Sequence, residues 1–168
     1  GNQYNKAYEL IQKGDFIVCK DDKKLSTMII GGEWSHAVMF LGKKEQGADY
    51  ECAEMTHHHY TKSDFFDICK ESSRIAIYRC DDFDENYIGK VVEECKKYEG
   101  VPYDVGFVLG IKALYCSELI FQSDFEHRAK FNLDDIKGLG QKYISPTGLT
   151  KASNVRLIYD SAETTPRY

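Results

Sequence analysis

The sequence predicts an α+β fold with a mostly antiparallel sheet, and three observations point there. Strand-like runs recur early in the chain and again near its end. The clearest amphipathic helix lies between them. Strands and helices are segregated rather than alternating one for one, which disfavours a parallel βαβ sheet.

Residues 5–12 are a short helix candidate, with Ala7, Leu10 and Ile11 apolar and Lys13-Gly14 ending it. Residues 15–19 read as a strand. Residues 25–30 form an apolar patch closed by Gly31-Gly32. Residues 36–42 are nearly all apolar, which predicts a strand buried on both faces. Tyr50–Met55 and the stretches 74–79 and 155–159 read as three further strands. Over residues 84–98, Ile88, Val91, Val92 and Cys95 fall at helical spacing and give one apolar stripe. Asp84 and Glu85 in its first turn and Lys96-Lys97 in its last suit the macrodipole. Gly100 and Pro102 stop it. A second helix starts at Cys116 and is expected to turn Leu119, Ile120 and Phe125 inward. Ser145-Pro146-Thr147 looks like the cap of a short late helix. The tail after Ala162 is expected to fray.

One domain spanning residues 1–168 is expected from the length, with a core large enough to fold without staples. The net charge of -5 and the absence of a basic stripe argue against nucleic-acid binding. A mildly acidic surface modestly favours cationic ligands. No apolar run approaches the roughly 20 residues that span a bilayer, so no integral membrane segment is expected. The compartment stays open: cell envelope or secreted if a leader was removed, otherwise cytoplasmic. The oligomeric state is equally open. The six cysteines at 19, 52, 69, 80, 95 and 116 form no CxxC, so structural zinc is not expected. Most read as reduced core residues, because free cysteine packs as a small hydrophobe.

Two positions carry chemistry. Cys116 opens a helix, where free N–H groups and the positive dipole end favour thiolate and suit a developing oxyanion. A buried helix-start cysteine without a role is the plainer alternative. His36 heads an apolar strand after a turn-like Gly-Gly-Glu-Trp-Ser segment, a suitable place for a general base. Trp34 is either a core or rim aromatic or a wall of the site. A third group must accept from the other imidazole nitrogen, and Glu51 and Glu54 on the next strand are the candidates. They point to opposite faces, and alternation does not choose between them.

Together, Gly14-Asp15-Phe16-Ile17, Trp34-Ser35-His36-Ala37-Val38, Glu54, Pro102-Tyr103-Asp104 and Tyr115-Cys116-Ser117-Glu118-Leu119 carry a resemblance. The chain resembles the permuted NlpC-like cysteine peptidases, the YiiX/YaeF-type relatives of the papain-like superfamily, over about residues 14–160. In that group the histidine precedes the cysteine, as here. The resemblance implies a circularly permuted papain-like fold, a sheet or half-barrel packed against helices. It implies Cys116 as nucleophile, His36 as base and Glu54, rather than Glu51, as the group orienting the histidine. Tyr103 or Tyr115 would assist the oxyanion, and Trp34, Ser35, Tyr103 and Tyr115 make up the expected substrate-binding set. His57-His58-His59 departs from the pattern. Adjacent strand histidines alternate faces and make a poor metal site, so neither a metal nor another cofactor is expected.

The expected activity is hydrolysis of an amide bond in a small or cell-wall-type peptide through a cysteine thioester. Two alternatives stand beside it: a lipid acyl-ester hydrolase or acyltransferase on the same Cys-His-Glu set, and a non-catalytic ligand-binding module on this scaffold. The expected partner is thus a small peptide or acyl substrate. A redox switch would need a resolving cysteine close to Cys116 in sequence, and none is there.

Overall fold

The computed structural model describes residues 4–20, 32–44, 49–56, 58–104, 114–135, 140 and 142–163. Helix α1 (Asn5–Leu10) leads into strands β1 (Phe16–Lys20), β2 (His36–Lys43), β3 (Tyr50–Met55) and β4 (Tyr60–Asp64). Helix α2 (Phe65–Glu71), strand β5 (Arg74–Cys80) and helices α3 (Glu85–Lys96) and α4 (Cys116–Ser123) follow. A two-stranded pair, β6 (Asp134–Asp135) and β7 (Lys142–Tyr143), precedes α5 (Pro146–Leu149) and β8 (Val155–Asp160). The apolar patch at 25–30 and the last five residues lie outside the described residues.

Six strands form one sheet in the order β4-β3-β2-β1-β5-β8, and every pairing in it is antiparallel. The α+β expectation holds, and all five expected strands are in this sheet. Neighbouring residues of a strand point to opposite faces, and β2 divides on that rule. Ala37, Met39 and Leu41 join a core with α3 and α4, while Val38 and Phe40 join a second core with α1 and α2. With both faces covered, no position from Ala37 to Leu41 can be polar without a partner, hence the unbroken apolar run. Each large side chain buried this way contributes about 1.5–3 kcal/mol. The six cysteines are all buried, and none is in a disulfide.

The structure departs from the sequence reading in several places. Strand β4 and helix α2 have no counterpart in it. β4 is an edge strand of mostly polar residues, so it lacks the apolar signal that marks a strand. Helix α2 is started by Asp64, whose side chain accepts the Phe66 N–H at 2.8 Å. The stripe of α3 begins at Tyr87 rather than Ile88: Tyr87, Val91, Val92 and Cys95 are buried. Ile88 instead covers Gly14, where φ is +91° and a Cβ would come within 2.9 Å of the Ile88 Cγ2. Phe125 does not turn inward. Helix α4 ends at Ser123, and Phe125 lies beyond it, 41 % exposed. Asp124 takes the inward place, accepting from the Tyr87 hydroxyl and from the Arg128 and Ala129 N–H groups. The late helix starts as expected, with the Ser145 Oγ accepting the Gly148 N–H at 2.8 Å.

Candidate active site

The site forms where the first residues of two elements meet. His36 is the first residue of β2 and lies opposite Cys19 on β1. Its approach is tied down on three sides. The Ser35 N–H donates to the Cys19 carbonyl at 2.9 Å, and the Trp34 N–H donates to Thr147 Oγ1 at 2.9 Å. The Arg74 guanidinium sits 4.5 Å over the Trp34 ring. Cys116 is the first residue of α4, behind the N-cap position Tyr115. Its N–H is therefore among those the helix leaves unbonded. Helix α4 packs on β2 and β3, which lays its first turn beside the start of β2.

His36 bridges two groups. Its Nε2 lies 2.8 Å from Glu54 Oε1, and its ring is also hydrogen-bonded to the Cys116 side chain. A carboxylate accepts, so Nε2 carries the proton toward Glu54 and Nδ1 is left for the sulfur. Burial pulls the imidazole pKa down, but the bonds to Cys116 and Glu54 and their charges outweigh it and raise His36 to about 9. Glu54 itself is fixed at both oxygens, because the Ser63 hydroxyl on β4 donates to Oε2 at 2.5 Å. Glu51, the other candidate, lies 3.9 Å from the Lys44 ammonium and is half-buried.

Tyr103 completes the cluster. The segment around it is strapped to two places: the Tyr103 N–H donates to the His58 carbonyl, and the Leu114 N–H donates to the Pro102 carbonyl at 3.0 Å. This carries the phenol to Cys116, where its oxygen accepts the Cys116 N–H and its O–H faces the sulfur. Burial, then the sulfur's charge, pushes the phenol pKa far up, so the group keeps its proton. Cys116 and His36 are buried, at 0 % and 3 % exposure, whereas Tyr103 is half-buried.

The other expected site residues sit elsewhere. Tyr115 is fully buried, and its hydroxyl accepts the Ile144 N–H at 2.9 Å. Trp34 is a core residue under Arg74, and Ser35 is buried with its hydroxyl donating to the Cys19 carbonyl. His58 and His59 are exposed, and His57 lies outside the described residues. Among the described residues, no three His, Cys, Asp or Glu side chains come together to hold a metal ion. Ser63 is the site member that sequence reasoning missed. Only the β3–β4 register, which sets Ser63 opposite Cys52, puts it on the face of Glu54.

Such a cluster can move a proton between sulfur and imidazole, hold the ring by a carboxylate, and present an N–H and a phenol beside the sulfur. The sequence model of the permuted papain-like amidase enzymes, the YaeF/YiiX or C92 family, matches residues 10–165. Among solved structures, the chain is similar to the crystal structure of metalloprotein yiiX from Escherichia coli O157:H7. The TM-score is 0.77 at 16 % identity, covering 89 % of this chain and 97 % of that one. At that identity the likeness shows the fold. No curated protein matches the chain.

Proposed function

Because the chain belongs to the permuted papain-like amidase family, we propose that it cleaves an amide bond in a small or cell-wall-type peptide through a thioester on Cys116. The observation that carries this reading is the seat of His36 between Cys116 and Glu54, with its pKa raised to about 9. At neutral pH the imidazole then holds the proton, and the sulfur is the stronger nucleophile for it.

In this reading the Cys116 sulfur attacks the substrate carbonyl carbon, and the C=O electron pair moves onto oxygen. The Tyr103 O–H, polarised by the Cys116 N–H behind it, turns from sulfur to that oxyanion. The His36 imidazolium gives its proton to the leaving nitrogen as the C–N bond breaks, leaving an acyl thioester. Neutral His36 next takes a proton from water, whose oxygen attacks the thioester carbonyl. The acid departs, and sulfur and imidazole recover their charges. Glu54 stays ionised and accepts from Nε2 throughout, which fixes the tautomer.

Incubation with peptidoglycan stem peptides, followed by intact-mass measurement after acid quench, tests the proposal. An acyl adduct on Cys116 and a released amine are expected. Turnover confined to acyl-ester probes would move the activity to the lipid acyl class. No adduct from either, with Cys116 alkylated no faster than the other five cysteines, would leave a binding module.

A further inference from the structure

We propose that Ser63 is a positioning residue of this site: its hydroxyl fixes Glu54 and, through Glu54, the ring of His36. The inference rests on the reading of Cys116 and His36 as the reacting pair. A carboxylate held by one donor turns about its last torsion, which is broad and two-fold. Glu54 cannot do so, because Oε1 meets His36 Nε2 at 2.8 Å and Oε2 meets Ser63 Oγ at 2.5 Å. The Ser63 hydroxyl thus donates to Oε2 while His36 takes Oε1. Ser63 is itself held, since β4 runs in register with β3, pairing Cys52 with Ser63 and Glu54 with Thr61. Cys52 and Glu54 share a face, so the hydroxyl reaches diagonally across the pair.

The ionisable groups around Glu54 sharpen the role. His36 faces it from β2, with Cys116 beyond on α4. Cys52 shares its strand, and Cys19 on β1, Cys69 on α2 and Asp64 at the end of β4 lie beyond Cys52. Burial pushes the Cys52 thiol well up and the Cys69 thiol up to about 12, so both stay neutral. Asp64 is engaged by the Phe66 N–H at the start of α2. Ser63 is thus a neutral donor and His36 a titrating donor on one carboxylate. A donor to the ionised form lowers a carboxyl pKa. Removing Ser63 raises it, so Glu54 takes up a proton at a higher pH and releases its hold on the imidazolium.

The test is the pH dependence of Cys116 alkylation by iodoacetamide, read site by site by mass spectrometry. In Ser63→Ala the acid limb of the Cys116 rate should move up by about one pH unit, a roughly ten-fold loss of rate at its acid end. Ser63→Thr, which keeps the hydroxyl, should return the limb to its original place. A Ser63→Ala profile that superimposes on the parent, even with a lower melting temperature, would mean that Ser63 serves only the sheet. A Ser63→Thr profile displaced as far as Ser63→Ala would overturn the role too. If Ser63→Ala does not fold, proton NMR on the unaltered chain decides: a slowly exchanging Ser63 hydroxyl proton is expected, and one exchanging as in solvent refutes the inference. Failure of the underlying reading looks different, because Cys116 in the parent would then show no preferential labelling at all, and both inferences would fall.

Discussion

Two buried carboxylates meet basic side chains at opposite ends of β1, and their surroundings differ in kind. Asp15 precedes β1, while His36, the partner of Glu54, lies across from Cys19 near its end. The Asp15 carboxylate accepts Arg79 Nε and Nη2, both at 2.8 Å, and the Gln12 N–H at 2.8 Å. Arg79 Nη2 also donates to the Leu10 carbonyl at 2.9 Å. Every strong partner there is spent, and a guanidinium does not give up its proton in a protein. The pair is a strut joining the end of α1 to β1 and β5. Glu54 meets an imidazole, which can gain or lose a proton, and that ring is hydrogen-bonded to a sulfur on its other side. Burial and pairing are common to both; a titratable ring beside a thiol belongs to one. The Gly14-Asp15 opening, weak as a motif, is accounted for by the strut.

The contrast can be broken by experiment, and the largest effect should come from the sulfur. Cys116→Ala is expected to lower turnover by at least about 10⁴-fold, equivalent to ~5.5 kcal/mol of barrier, while melting close to the parent temperature. Turnover surviving this change would remove the nucleophile from Cys116. Next is the strut. Arg79→Ala leaves Asp15 buried without its cation and should cost about 3–5 kcal/mol of stability in urea denaturation. Its turnover per folded molecule should be unchanged, and a selective loss of activity would erase the distinction between the two pairs. Glu54→Gln reverses that pattern, with turnover down about 10²-fold, or ~2.7 kcal/mol, and little change in the denaturation midpoint.

The smallest effect is on stability across pH. The folded pKa of His36 is raised to about 9 from an ordinary 6.5. Stabilisation by its charged form is therefore complete below pH 6.5 and is lost as pH climbs through 9. Melting temperatures should fall over that window, by about ten degrees at most, and His36→Gln should flatten the decline. Arg79 keeps its charge throughout, so its pair contributes no slope there. A parent profile that is flat across the window would argue against a protonated His36 at neutral pH.

Much of the sheet was legible in the sequence because apolar side chains at fixed periods report burial directly. The β2 run, the Val91, Val92 and Cys95 part of the α3 stripe and the Ser145 cap are local signals that folding did not override. Local signals fail where an element is chosen by its neighbours. Strand β4 exists because β3 offers it an edge, and its own polar residues give no hint. Phe125 reads as apolar and inward, yet the chain turns at Asp124 to satisfy Tyr87 and two N–H groups.

By itself, the sequence marked out the candidate pair, a cysteine at a helix start and a histidine at a strand start, because each end has its own chemical signature. Tertiary structure alone decided which tyrosine meets the sulfur, and it set Ser63 behind Glu54. Tyr103 and Tyr115 are the same residue type near the same helix, but backbone straps to His58 and Leu114 bring one phenol to Cys116, while the other is drawn to Ile144. Side-chain direction at such distances follows from strand register and loop tethering, and neither is written in residue spacing.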